Sequence, residues 1–234
     1  MALVIVRLPA GLVDYGVRHL TDGQLRVVQT QGSVWRGQGV LASSEVSPRL
    51  TAARQVAWRT ELELYRLAVR LRLSEHGREQ LVLTVAPTGL AIEKLGLDLP
   101  ASLVSAAIRH PAARAGWRGR FLVDSSGLVC DAHAVCAGKM TMEWHDAGVN
   151  LLPGHQLGTH RAVLAAMGRS FDVAVNTLDG NVRVDGGGKI TDGRLVALDL
   201  LFSGPPELVG RLPNVMDGHA RLTGEPGQVR LRLP

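Results

Sequence analysis

The 234-residue sequence is poor in aromatic residues, in lysine and in cysteine. Aromatic residues make up 4% of the chain, so the core has to be filled by Leu, Val and Ala. Its four tryptophans are the few large side chains that can fill the core: Trp35, Trp58, Trp117 and Trp144. No aromatic residues interleave with the basic ones, and no run of five Lys or Arg occurs, so the chain lacks the stacking platform and basic tract of a nucleic-acid-binding protein. Nucleic acid is therefore not an expected partner, despite the formal net charge of +5.

The sequence also lacks a long apolar run. The opening run covers residues 2–6, against the roughly 20 residues of a membrane-spanning helix. It is not a complete signal peptide either. We expect a chain that opens in this way to follow an N-terminal anchor helix that the sequence itself does not include.

The most regular feature present is a repeated pattern of Asp-Gly, any residue, an apolar residue, Arg and an apolar residue. It occurs at residues 22–27, 179–184 and 217–222. Asp-Gly tolerates the positive φ of a tight reversal, and the alternation that follows has the two-residue period of a half-buried strand. The pattern predicts β-hairpins and contains no reactive group.

Alternation of apolar and polar residues continues through most of the chain. Over residues 56–73 it changes phase once, which predicts a β-bulge near Tyr65. Residues 156–167 fit both the strand and the helix period. Three segments have helical spacing and helix-starting or helix-ending prolines, and they cover residues 9–20, 99–109 and 205–212.

These patterns predict a mainly β fold of curved antiparallel sheets built from meanders and hairpins, with about three short helices. We expect a single domain over residues 1–234. It would have two sheet halves, residues 1–110 and 111–234, divided by the middle helix.

Candidate chemistry is sparse. Residues 185–190 read Asp-Gly-Gly-Gly-Lys-Ile, but a phosphate-binding loop requires glycine at the position of Arg183 and Ser or Thr at that of Ile190. The glycines therefore indicate the end of a hairpin. His145 and Asp146 are polar residues that are not part of any recognisable motif containing a nucleophile. We expect no catalytic residue, no enzyme activity and no cofactor, and the sequence names no binding residue.

Cys130 and Cys136 are the only cysteines, and His133 lies between them. Three interpretations remain open. In an oxidising compartment the thiols would form a disulfide that closes a small loop between strands. In a reducing one they would be buried free thiols. With His133 and a fourth ligand from Asp131 or His145, they would bind zinc, although structural zinc sites usually draw ligands from two separated segments. The disulfide is the preferred interpretation, and no metal site is predicted.

The order of several short motifs resembles protein N of the type II (general) secretion pathway. The motifs are Leu-Pro-Ala-Gly-Leu-Val at 8–13, Gly-Ser-Val-Trp-Arg-Gly at 32–37, Leu-Pro-Ala at 99–101, Met-Glu-Trp at 142–144 and the Asp-Gly hairpins. The resemblance implies a non-enzymatic accessory component of the bacterial machine that exports folded proteins. It also implies a periplasmic domain tethered to the inner membrane, with other type II secretion proteins as partners.

The Asp-Gly strand repeats also resemble those of AsmA-like proteins, whose curved sheets carry lipid along an apolar groove. This resemblance implies an alternative function, lipid binding or transfer, with phospholipid as a further partner. The two functions differ in the second apolar face of the sheet. An assembly component buries it, whereas a lipid carrier leaves a continuous apolar channel.

If the domain is periplasmic, we predict that Cys130 and Cys136 are bonded to each other. Thiol titration of the unfolded, unreduced protein should then detect no free thiol, and titration after reduction should detect both. Two free thiols before reduction would contradict the prediction, and stoichiometric zinc in the purified protein would favour the metal site instead.

Overall fold

The computed structural model describes residues 8–43, 53–107, 115–150, 152, 154–215 and 220–233. Fifteen antiparallel strands form one sheet in these ranges. The strands are β1 (Leu25–Gly32), β2 (Arg36–Ser43), β3 (Ala53–Glu63), β4 (Ala68–Glu75), β5 (Arg78–Ala86), β6 (Gly89–Pro100), β7 (Trp117–Ser125), β8 (Leu128–Asp131), β9 (Cys136–Val149), β10 (Gly158–Gly168), β11 (Ser170–Asp179), β12 (Arg183–Thr191), β13 (Arg194–Ser203), β14 (Ala220–Leu222) and β15 (Gln228–Leu233).

Helices occur in the three predicted regions. They are α1 (Gly11–Leu20), α2 (Ala101–Ala107) and two single turns, α3 (Pro206–Val209) and α4 (Leu212–Val215). None of the helices in the described ranges has the length and apolar character needed to cross a bilayer. The opening residues 1–7, which were expected to follow an anchor helix that the sequence does not include, lie outside the described ranges.

The sheet is a meander in which most strands pair with the next strand in the chain. The order is β1 to β7, then β9 to β13, β15 and β14, with β8 pairing with β6 and β9. This architecture confirms the predicted mainly β antiparallel fold. Helix α2 connects β6 to β7, and these two strands pair directly, so the sheet runs without a break past the middle helix. The division into one domain with two halves stays a prediction.

Three local predictions are wrong. Residues 64–67 form a turn between β3 and β4 instead of a bulge, and Leu67 adopts a positive φ of 50° there. The Asp22-Gly23 copy of the repeat joins α1 to β1 and not two strands. The glycine-rich residues 185–190 lie inside β12 instead of at a hairpin end. Residues 156–167, which fitted both periods, belong mainly to strand β10.

The glycines of β12 allow the neighbouring strands to approach closely. A Cβ atom on Gly187 would contact the carbonyl oxygen of Val173 on β11, and one on Gly188 would contact that of Ala197 on β13. Gly186 has a φ of 146°, which side chains rarely tolerate. Glycine within a strand is typical of such close approach and of local bending.

One face of the sheet, here called the apolar face, carries the alternate aliphatic and aromatic residues. Because paired antiparallel residues point to the same side, the registers trace it across the sheet. A row of direct partners crosses nine strands from β6 to β14: Leu97, Val123, Met142, Ala162, Val175, Gly186, Leu200, Leu231 and Ala220.

The two ends of the apolar face are covered by different segments. At the β1 end, α1 packs Val13 and Val17 against a cluster containing Val27 and Trp58. At the other end, the connection after β9 and the turns α3 and α4 supply the cover, with buried residues Leu152, Leu157, Leu208, Val209 and Leu212. Between these two clusters, side chains such as Leu83, Val123 and Val173 are only half-buried.

Helix α1 also closes the outer edge of β1. The carboxylate of Asp14 on α1 accepts a hydrogen bond from the backbone N–H of Val27 at 2.8 Å. It also forms an ion pair with the guanidinium of Arg26 at 2.8 Å. The N–H of Leu25 donates to Thr21 Oγ1 at 3.1 Å. Because these outward N–H groups bond to side chains, this part of the edge is closed to strand addition.

Replacing Asp14 with Ala should lower the unfolding free energy by about 1–3 kcal/mol, because the Val27 N–H loses its acceptor. Urea unfolding of both proteins measures the change. Asp172→Ala is the control, since Asp172 is an exposed residue of β11 and its loss should change stability by less than about 0.5 kcal/mol.

The same pair of proteins tests a pH dependence. The hydrogen bonds from Arg26 hold the pKa of Asp14 below its ordinary value of 3.8. A carboxyl with a lowered folded-state pKa stabilises the fold above its unfolded pKa and loses that contribution as the pH falls through the folded value. The stability difference between the parent and Asp14→Ala should therefore shrink below about pH 4. A difference that stays constant into strong acid would contradict this role of Asp14.

Candidate functional site

The two cysteines lie directly opposite each other on the hairpin formed by β8 and β9. Their Sγ atoms are bonded, so the structure contains the predicted disulfide. In the connecting turn, the carboxylate of Asp131 accepts the N–H groups of His133 and Val135 at 2.8 and 2.9 Å. The bond from Val135 is the larger cause of a lowered pKa for Asp131. The disulfide and these bonds both fix the tip of the hairpin.

The structure does not assemble the alternative zinc site. The thiols are used in the disulfide, and the ring of His133 is exposed. His145 lies on β9, where its Nε2 is 2.8 Å from Glu143. Within the described ranges, no group of three or more His, Cys, Asp or Glu is placed to hold a metal ion.

His145 belongs to an ion-pair group on the side of the sheet opposite the apolar face, here called the charged face. The carboxylate of Glu143 accepts a hydrogen bond from Arg161 Nη2 at 2.7 Å and also contacts His145. The hydrogen bond from Arg161 is the main cause of the lowered pKa of Glu143, and the bond from His145 adds to it. The neighbouring Asp146 is exposed and has a φ of 51° at the bulge where β9 faces Gly119. The group is an ion pair with an attached histidine, without a nucleophile beside it.

Similar pairs cover the charged face elsewhere. The carboxylate of Asp199 on β13 accepts hydrogen bonds from both Arg230 and Arg232 of β15. These bonds hold the pKa of Asp199 well below its usual range. Across β3 to β7 the pairs are Arg59–Glu61, Arg70–Glu63, Arg70–Glu93, Arg72–Glu61, Arg72–Glu79 and Arg120–Asp98. Many Arg residues that alternate with Leu and Val in the sequence therefore face carboxylates on neighbouring strands.

The outer edge of β14 differs from that of β1. In the described part of the chain, no strand pairs with it. Thr223 N–H donates to Gln228 O on the inner side, so the alternation of an antiparallel ladder turns the N–H groups of Ala220 and Leu222 outward. The side chain of Leu222 is 67% exposed. This short strand is the open edge of the sheet.

An apolar cavity of about 270 Å³ lies between the apolar face and its cover at the β9–β15 end. Side chains of seven strands and of the connecting segments form its wall: Ala115, Trp117, Trp144, Val149, Leu157, His160, Val175, Val182, Val184, Leu200, Phe202, Leu212 and Leu231. Trp144 stacks with Phe121 and contacts Trp117. Half of the tryptophans in the chain thus lie at this cavity.

Two polar atoms at the cavity wall have hydrogen-bond partners within the protein. Trp144 donates its indole N–H to the carbonyl of Arg118 at 2.8 Å. His160 Nδ1 is 2.9 Å from Thr177 Oγ1, and burial lowers the pKa of His160. The histidine is therefore neutral near pH 7, and the cavity contains no charged side chain.

Sequence reasoning did not identify this cavity. Its wall combines strands with connections such as those before β10 and after β13. Contacts between residues so far apart in the chain cannot be inferred from a local sequence pattern. The one signal available was the pair Trp117 and Trp144, which the alternation of β7 and β9 assigns to the same face.

Comparison with known protein families gives one match. The family model described as type II secretion system (T2SS), protein N, matches residues 23–230, most of the chain. Searches of the curated proteins and of the solved structures found no match.

Proposed function

We propose that this chain, which belongs to the type II secretion system protein N family, is a non-enzymatic accessory component of the bacterial apparatus that exports folded proteins. In this proposal its β domain faces the periplasm and is tethered to the inner membrane. The family match over residues 23–230 carries the proposal.

The disulfide supports the periplasmic location. Disulfides form and persist in oxidising compartments, including the bacterial periplasm, and are rare in the reducing cytosol. Cys130 and Cys136 are bonded at the tip of the β8–β9 hairpin. A domain folded in the periplasm would acquire this bond during maturation.

The open edge of β14 is the proposed contact with other secretion components. An unpaired edge strand recruits another chain by strand addition, in which main-chain hydrogen bonds supply affinity. Asp14 and Thr21 accept hydrogen bonds from the outward N–H groups of Val27 and Leu25 on β1, whereas the N–H groups of Ala220 and Leu222 lie on the open edge. Addition at β14 would extend the same antiparallel sheet by one strand.

The charged face is a weaker candidate for contact with anionic lipid. A basic surface attracts phospholipid headgroups when its positive charge is free. Arg residues of β3, β4 and β7 instead pair with Glu and Asp on the same strand or on nearby strands. These pairs neutralise the Arg residues concerned, so less free positive charge is left to attract the headgroups.

We predict that Leu222→Pro impairs export without unfolding the domain. Proline removes the outward N–H of residue 222 and leaves the inward bonds between β14 and β15 in place. In cells that lack the protein, the variant should restore less export of folded secreted proteins than the parent does. It should also capture fewer secretion components on crosslinking.

Leu222→Ala is the matched control, since it removes the same side chain and keeps the N–H. It should restore export as the parent does. Thermal unfolding establishes that both variants fold. Full export with a folded Leu222→Pro variant would rule out the β14 edge as the contact. Normal export in cells that lack the protein altogether would rule out the accessory role.

A further inference from the structure

The apolar wall of the cavity beneath α4 favours some classes of ligand over others. Aliphatic and aromatic side chains form nearly all of its surface, and the indole N–H of Trp144 and the Nδ1 atom of His160 already have partners. A water molecule requires about two to four polar partners. A polypeptide strand would bring N–H and C=O groups that the wall could not satisfy, and each unsatisfied buried group is unfavourable. A hydrocarbon chain brings no such groups.

The size of the cavity also fits a slender apolar ligand. Its volume of about 270 Å³ lies near the lower end of the range of ligand pockets, about 300–1,000 Å³. Smaller apolar cavities stay dry and bind small hydrocarbons. Only part of an extended acyl chain fits in this space, so the rest of such a chain must lie outside the cavity.

Apolar surface continues from the cavity along three strands. On β9, Trp144 is followed on the same face by Met142 and Met140. The alternate positions on β10 continue from His160 to Ala162 and Leu164.

On β11, the same alternation leads from Val175 to Val173 and Phe171. All six residues beyond the cavity on these three strands are only half-buried. Four residues of extended strand span about 13 Å, close to the roughly 15 Å that a lipid tail occupies in one leaflet.

We propose that the cavity and this adjoining track bind a single acyl chain, with the chain lying along β9, β10 and β11 and its end under α4. The wall supplies apolar contact to the whole chain, and the head group stays outside the cavity. This inference does not depend on the proposed role in secretion.

The test uses purified protein and palmitic acid that carries a photoreactive diazirine near the tail end. Irradiation followed by peptide mapping should place the label on cavity residues such as Trp144, Val175 and Leu212. Label confined to residues on the charged face or in the hairpin turns would overturn the proposal.

Val175→Phe narrows the cavity and should lower the labelling at least tenfold. Its matched control is Ala174→Phe, which adds the same ring on the same strand but on the opposite, exposed side. The control should label as the parent does. Equal labelling of the two folded variants would overturn the proposal. If Val175→Phe does not fold, Ala162→Phe on the adjoining track replaces it, with the same expected loss.

A second arm distinguishes the source of the chain. Vesicles of phosphatidylethanolamine and phosphatidylglycerol with the same photoreactive tail replace the free acid. Label at the cavity from the vesicles supports a phospholipid tail as ligand, and label only from the free acid supports a fatty acid. Displacement of the label by an apolar peptide, with no displacement by unlabelled palmitic acid, would overturn the acyl-chain assignment in favour of a protein side chain.

Discussion

The structure depends on the burial of one apolar face of a single sheet. A β-sheet with one apolar side must pack that side against another layer, and this chain contains no second sheet in its described ranges. Short segments provide the cover instead: α1 at one end, and the β9–β10 connection with α3 and α4 at the other. The cover is incomplete, so several apolar residues between the two ends, such as Leu83, Val123 and Val173, are only half-buried, and a cavity remains beneath α4. Both the cavity and the track beside it are consequences of covering a wide sheet with little helix.

The local features of the fold could be predicted from the sequence. Alternation gave the antiparallel meander, proline and helical spacing gave the three helical regions, and the spacing of Cys130 and Cys136 was compatible with a cross-strand disulfide. These features depend on residues close together in the chain. The wrong predictions concern glycine and turn chemistry. Residues 64–67 turn without Gly, Pro, Asn or Asp, so the change of phase resembled a bulge.

The non-local features could not be predicted in the same way. The glycines at 186–188 serve close strand packing, which depends on Val173 of β11 and Ala197 of β13. The closure of the β1 edge depends on Asp14 reaching Val27 across a turn, and the cavity depends on Leu212 lying over Trp144 and Val175. Each requires the three-dimensional position of a residue that carries no distinctive motif.

The open edge and the cavity share elements of the structure. Ala220 of β14 is buried in the same cluster as Leu212 of α4 and Val229 of β15, and Leu212 also forms part of the cavity wall. A strand added at β14 would restrain the elements that cover the cavity, and a chain in the cavity would press on the elements that support β14. Two ligands that act on the same elements have a reciprocal coupling free energy.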